Sequence, residues 1–206
     1  MKSAPSITEL FLLSILVVSG CSPLAPQPDQ SKFYVLTAAV GHLAAPPATP
    51  GEIKDHLIGL GPIHFPGYLE RDQIVTRVAP NQLDISENKV WAEPLANNFA
   101  RVLSIDLSEQ LASDRFVKFP WYSTTPIEYQ VRIDVLRFEA SADRNAWLAA
   151  RWSIEDRHGK SLYANDTTLK EAIKIDEPAP EAAALSRVLA DFSRVVAGRL
   201  GQLRDD

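Results

Sequence analysis

Ile127-Glu128-Tyr129-Gln130-Val131-Arg132-Ile133-Asp134-Val135 alternates apolar and polar residues without a break. A period of two puts Ile127, Tyr129, Val131, Ile133 and Val135 on one face and the polar residues on the other, the pattern of a half-buried strand. At Val135-Leu136 the phase slips, and Phe138 carries the new one, which predicts a β-bulge. Downstream, Leu148, Ala150, Trp152 and Ile154 alternate against Ala149, Arg151, Ser153 and Glu155 in a second strand. Asp156-Arg157-His158-Gly159 supplies a tight turn into a third, over residues 160–174. Strands joined this closely form a meander, so they pair antiparallel.

Helical periodicity flanks the meander. Leu95, Phe99, Val102, Leu103, Leu107 and Leu111 fall on one stripe, with Arg101, Ser104, Ser108 and Glu109 off it. Pro94 marks the opening of this helix. A second helix runs from Ala179 or Pro180 to Leu203. Leu185, Val188, Leu189, Phe192, Val196, Leu200 and Leu203 form its buried face, and Glu181, Arg199 and Arg204 suit its dipole. Before the first helix, residues 32–38, 56–65 and 73–78 read as strands. Gly59 and Gly61 bend the second of them. Pro66-Gly67 and Pro80-Asn81 read as turns, residues 82–85 as the return of a hairpin, and residues 39–51, with three prolines, as a loop. The expected fold class is α+β: a single domain with an antiparallel β-sheet packed against two amphipathic α-helices on one face.

The N-terminus has a different logic. Met1-Lys2 gives a positive start, and residues 10–18 (LFLLSILVV) form an apolar run too short to span a bilayer, which takes about 20 residues. Val18-Ser19-Gly20-Cys21 then has the aliphatic-small-small-Cys order of a lipobox. Residues 1–20 therefore read as a lipoprotein signal peptide, despite the acid Glu9. Cys21 reads as the acylated residue, residues 21–31 as a Pro-containing tether, and residues 32–206 as the domain. Cys21 is the only cysteine. No internal disulfide can form, and an acylated Cys21 leaves no thiolate for catalysis or metal binding. Ser22, rather than aspartate, follows it. By the sorting convention of enteric bacteria this favours the outer membrane, with the domain in the periplasm.

The 206 residues are 46% hydrophobic and 23% charged, with a net charge of −5. A negative balance argues against nucleic acid, which calls for a basic face. His42, His56, His64 and His158 have no spacing suited to a local metal pair. Gly59-Leu60-Gly61 runs into Pro62 and makes a poor phosphate loop. Glu93, Asp106, Glu109, Asp134 and Glu155 read as solvated acids rather than a catalytic pair. No cofactor, metal or catalytic set is expected, and the chain reads as a non-enzyme. Tyr68, Leu69, Arg71 and Trp91 stand out as candidates for subunit or partner contacts, for which tryptophan, tyrosine and arginine are enriched. As structural alternatives, Trp91 would staple the chain to the helix start, and Arg71 and Arg77 would pair with local acids.

Taken in order, several motifs resemble the PqiC/YmbA family of ABC-type transport auxiliary lipoproteins. They are the lipobox, Phe33-Tyr34-Val35-Leu36, Ile58-Gly59-Leu60-Gly61-Pro62, the Pro66–Arg77 stretch (PGYLERDQIVTR) and Trp91-Ala92-Glu93-Pro94-Leu95. The Pro66–Arg77 and Trp91–Leu95 segments are the specific ones. The resemblance implies a lipid-anchored subunit at the outer membrane that works beside an MCE-domain membrane protein in intermembrane lipid transport and supports envelope integrity. It also implies ring-like homo-oligomers. Other readings stay open: a generic outer-membrane scaffold, a periplasmic hydrolase assembled from distant residues, or direct lipid binding by the domain.

Overall fold

A computed structural model describes residues 30–39 and 52–203. The signal peptide, Cys21, the tether up to Asp29, His42, most of the 39–51 loop and Arg204 lie outside the described residues.

The element order is β1 (Lys32–Tyr34), β2 (Ile58–His64), β3 (Gln73–Ala79), β4 (Gln82–Trp91), α1 (Leu95–Leu111), β5 (Phe116–Lys118), β6 (Tyr129–Ser141), β7 (Asn145–Asp156), β8 (Ser161–Ala172) and α2 (Pro180–Leu200). The eight strands form one sheet, and from Ser31 onward the chain is a single compact unit.

The alternating strand is the spine. β6 pairs antiparallel with β7 along its whole length, and β8 continues the meander on the far side of β7. On the other edge, β6 takes two partners in succession. β2 runs parallel to its first half, from Ile58–Tyr129 to His64–Asp134. β3 runs parallel to its end, at Thr76–Ala140 and Arg77–Ser141. β5 lies parallel outside β2. β4 lies antiparallel outside β3, and β1 lies parallel outside β4. The α+β class and the two helices match the sequence reading. The sheet, however, is mixed. Antiparallel pairing holds for the meander and the β3–β4 hairpin, where short connections enforce it, while β1, β2, β3 and β5 reach parallel partners distant in the chain.

The bulge falls where the phase slips: register shifts between Val135 and Arg137, and Leu136 turns out to solvent. Asp156 closes the β7–β8 turn by accepting the backbone N–H groups of His158 and Lys160, at 2.8 and 2.9 Å. Gly159 takes a positive φ of 78°. β4 is longer than the expected return strand and reaches Trp91. β1 is shorter, ending at Tyr34.

Both helices bury the stripe their periodicity defines, packing against each other and against one face of the sheet. Pro94 stands at the cap of α1, one position before the first helical residue. Phe65, Phe99, Phe138 and Phe192 meet edge-on or tilted at 5.2–6.5 Å, and Trp152 joins Phe192 at 6.0 Å. Trp152 is almost wholly buried, and its indole N–H is satisfied by Thr167 at 2.9 Å. Each such ring buries ~150–250 Å².

After β1 the chain leaves the sheet and is pinned by helix side chains. Leu36 N–H donates to Asn98 Oδ1, Thr37 N–H to Ser186 Oγ and Ala39 N–H to Asp106 Oδ1. Sequence reading took Asp106 as a solvated acid. It is fully buried, and its second oxygen has no partner. Burial, opposed by the Ala39 hydrogen bond and aided by Glu109, pushes its carboxyl up to about 6. A raised carboxyl pKa means that the folded state binds the proton more tightly than the unfolded one. Stability therefore falls as pH rises from about 4 to about 6, and the full cost persists above that window. Asp106→Asn keeps the acceptor for Ala39 without the charge. It should raise the urea midpoint at pH 7.5, by up to ~3 kcal/mol from the size of the shift, and give no gain at pH 4. Equal effects at both pH values would contradict this account.

Candidate functional site

The two most specific sequence segments, Pro66–Arg77 and Trp91–Leu95, meet in space. The pairing of β6 explains where. Eleven residues, Phe65 to Val75, span the interval between the β2 and β3 ladders, while β6 offers five, Val135 to Glu139. The surplus chain leaves the sheet as an excursion. It makes a one-turn 3-10 helix at Gly67–Leu69 and returns to β3. Trp91 N–H donates to Asp72 O at 2.7 Å, tying the end of β4 to the end of the excursion.

Between these segments lies a cavity of about 280 Å³. Phe65, Leu69, Pro94, Leu95 and Ala96 supply its apolar lining, and Glu70, Arg71 and Asp72 supply the charged part.

The four candidate contact residues take different positions. Leu69 and Trp91 are buried in the core, with 3% and 5% of their surface exposed. Arg71 lines the cavity, and its Nε donates to Tyr68 O at 2.8 Å. Tyr68 turns to the opposite side, where its hydroxyl donates to Glu139 Oε2 at 2.9 Å. The structural alternative had Arg71 and Arg77 pairing with local acids. Arg71 bonds a local carbonyl instead, and Arg77 bonds a carboxylate 62 residues away.

That carboxylate, Glu139, was not singled out from sequence. It follows the bulge on β6, and its side chain is completely buried. Oε1 accepts Nε of Arg77 at 2.8 Å and Nε of Arg137 at 2.6 Å. Oε2 accepts the Tyr68 hydroxyl and, at 3.2 Å, Phe138 N–H. All its acceptor sites are used, which is the condition for keeping a buried carboxylate charged. The Glu139 hydrogen bond in turn favours the charged Arg77 guanidinium. The only clue in the sequence was an acid displaced into a new phase by the slip at Val135-Leu136.

Burial first, and Glu139 second, push the Tyr68 hydroxyl up to about 12. The neutral phenol is the form the fold favours, so its contribution is complete below pH 10 and lost as pH rises through about 12. Of the five tyrosines in the chain, Tyr68 should account for an absorbance step near pH 12 that Tyr68→Phe removes. The same change should cost about 1.5–3 kcal/mol, the worth of a hydrogen bond to a charged group. An unaltered titration curve would show that Tyr68 is not the high-titrating phenol.

His56 and His64 serve local structure. His56 Nδ1 lies 2.5 Å from Glu128, whose other oxygen accepts Leu57 N–H. The His56 hydrogen bond holds the Glu128 carboxyl below its ordinary value. His64 pairs with Asp134 at the exposed end of β2. Among the described residues, no three His, Cys, Asp or Glu side chains group to hold a metal, and no helix is long and apolar enough to cross a membrane. Gly59 and Gly61 serve packing. A Cβ on Gly59 would fall 2.9 Å from both Ile127 and Trp121, and one on Gly61, at φ 118°, would fall 2.8 Å from Phe119 Cβ.

The family model described as "ABC-type transport auxiliary lipoprotein component" matches residues 34–197. No curated protein matches the sequence. A crystal structure of an uncharacterized protein is similar at a TM-score of 0.66 and 18% identity, covering 82% of this chain and 98% of that one. A Xanthomonas campestris protein of the DUF330 family is similar at a TM-score of 0.66 and 16% identity, covering 83% and 97%. At these identities the likeness concerns the fold alone.

Proposed function

From the premise that this chain belongs to the ABC-type transport auxiliary lipoprotein family, we propose that it is the outer-membrane-anchored, periplasmic subunit of an MCE-type intermembrane lipid transport system. It acts without catalysis, and its work supports envelope integrity. Acyl groups on Cys21 hold it to the bilayer, and residues 22–31 tether the domain. Its partner is an MCE-domain membrane protein, which it meets as a ring of identical subunits. Tethering raises the local concentration for docking without adding a contact.

The observation that carries this reading is the convergence of Pro66–Arg77 and Trp91–Leu95 on one apolar cavity with charged residues beside it. A cavity of that kind accepts a partner's apolar side chain, while the surrounding charges set orientation and encounter rate. Arg71 is the direct contact. Tyr68, Leu69 and Trp91 act from beneath, fixing the excursion that presents it.

Affinity purification of the acylated protein from envelope membranes, with native mass measurement, tests the reading. The expected result is an MCE-domain protein recovered with a multimeric lipoprotein. A lone monomer would remove the proposal. Arg71→Glu should reduce recovery of the partner about tenfold or more, the scale of an arginine hot spot, with an unchanged melting temperature. Full recovery with this variant would take Arg71 out of the interface.

A further inference from the structure

The sheet ends unequally on its two sides. β1 and β5 close one side with three residues each, whereas β8 on the other side has twelve and pairs with β7 alone. Register shows which backbone groups of β8 stay open. Ile173 N–H donates to Arg144 O at 2.9 Å, and these two stand opposite each other, one step beyond the Asn145–Ala172 pair. Hydrogen-bonded and non-bonded pairs alternate along an antiparallel ladder. Tyr163, Asn165, Thr167, Leu169 and Glu171 therefore direct N–H and C=O to β7, and Leu162, Ala164, Asp166, Thr168 and Lys170 turn theirs outward. Ala172 O, the next in the outward row, accepts Nη2 of Arg187 at 2.9 Å, so α2 closes the edge there. Between Leu162 and Lys170 no strand among the described residues covers it. Proline and bulges are the usual protections of an edge. This stretch has no proline, and its register is unbroken from Tyr163 to Ala172.

The side chains of the outward row decide what fits. Asp166, Thr168 and Lys170 are exposed on the sheet face away from the helices. They put opposite charges two residues either side of a hydroxyl, an order that complements itself when reversed. A second β8 laid antiparallel, with Thr168 opposite Thr168, sets each Asp166 against Lys170 of the other copy. On the other face it sets Thr167 against Leu169 and Asn165 against Glu171, so no like charges are opposed. Centring on Asp166 or on Lys170 would instead oppose like charges. Asp166 already accepts Arg151 Nε at 3.0 Å, and a carboxylate has lone pairs for a second cation.

We propose that β8 pairs antiparallel with β8 of a second copy of this chain, centred on Thr168, and joins the two sheets across a two-fold axis. The open N–H and C=O groups of Asp166, Thr168 and Lys170 complete a ladder. Two Asp166–Lys170 pairs and the Thr168–Thr168 contact fix its register. A two-fold contact closes on itself. It is therefore separate from the head-to-tail contact that builds a ring, and it does not depend on which partner fills the cavity at Arg71.

Cross-linking of the acylated protein in envelope membranes tests the contact. On the axis, Thr168→Cys meets its own copy with Cα atoms ~5.5 Å apart, within disulfide range. Leu162→Cys lies on the same face but roughly 40 Å from its copy in this register. Mild oxidation should give a disulfide-linked dimer for Thr168→Cys and none for Leu162→Cys. The unaltered protein should give none either, which shows that Cys21 contributes no link. Adding Lys170→Asp to Thr168→Cys should lower the dimer yield about tenfold, because it opposes like charges at two symmetry-related pairs. Adding Asp166→Lys as well exchanges the charges and should restore the yield. Equal cross-linking of Thr168→Cys and Leu162→Cys, no cross-linking of Thr168→Cys, or a yield indifferent to Lys170→Asp overturns the proposal. So does a charge exchange that fails to restore the yield. A multimer of unchanged native mass that lacks the Thr168 cross-link keeps the ring and removes this contact.

Discussion

Glu139→Gln is expected to destabilise the domain by about 3–5 kcal/mol, the cost of removing one partner from a buried ionic cluster. The substitution keeps side-chain length and one carbonyl acceptor, so packing barely changes. It removes the charge that two guanidinia and a phenol surround. Arg77 and Arg137 would then be held together at a largely buried position without a counter-ion. Against a total stability of ~5–15 kcal/mol, the loss is a fifth or more. Urea denaturation should show a lower midpoint at unchanged slope. Replacing all three charged residues with apolar ones of similar volume should recover much of the loss, because the desolvation cost then disappears with the charges. A shift under ~1 kcal/mol for Glu139→Gln would mean that the cluster is screened by water and that Glu139 does not hold the excursion in place.

The second large effect concerns the anchor. Cys21→Ala should abolish incorporation of labelled palmitate and stop maturation at residue 21. A single acyl chain binds a bilayer only marginally, at ~0.8 kcal/mol per buried CH2, whereas two or more make attachment effectively permanent. Mature protein should therefore fractionate wholly with membranes, and no correctly processed membrane form should remain for the variant. Palmitate labelling that survives the substitution would disprove the lipobox reading.

The meander, the bulge and both helices were legible because their residues alternate or recur with one period, and a period is a local property. Val131, Ile133 and Val135, like Leu103 and Leu107, are buried where the pattern puts them. The parallel pairings were not legible. Nothing in Ile58–His64 says that its partner is β6, because the hydrogen bonds are backbone to backbone and the choice is made by packing. The candidate site divides the same way. Tyr68, Leu69, Arg71 and Trp91 were visible as unusual residue types in two compact stretches, and those stretches do meet. That they bound a cavity depends on the mismatch of eleven residues against five, which only the register reveals. Beyond the slip in phase, nothing marked Glu139, because its partners Tyr68 and Arg77 lie far away in the chain. Asp106 was misread because it sits among the apolar positions of α1, and its partner, the backbone N–H of Ala39, lies 67 residues away where no helical period could indicate it.

The place of β6 at the centre of the sheet bears on the order of synthesis. Register joins Ile58 to Tyr129 and Thr76 to Ala140. As the polypeptide is made from its N-terminus, β2 and β3 therefore emerge long before the strand that completes their hydrogen bonding. The β3–β4 hairpin and α1 are local and can form early, but the sheet cannot close until Ser141 has been added. Closing such distant contacts slows folding, because loop entropy must be overcome before the contacts reward it. For a chain exported before it works, that delay is useful: the first half cannot close into a sheet until the second half exists.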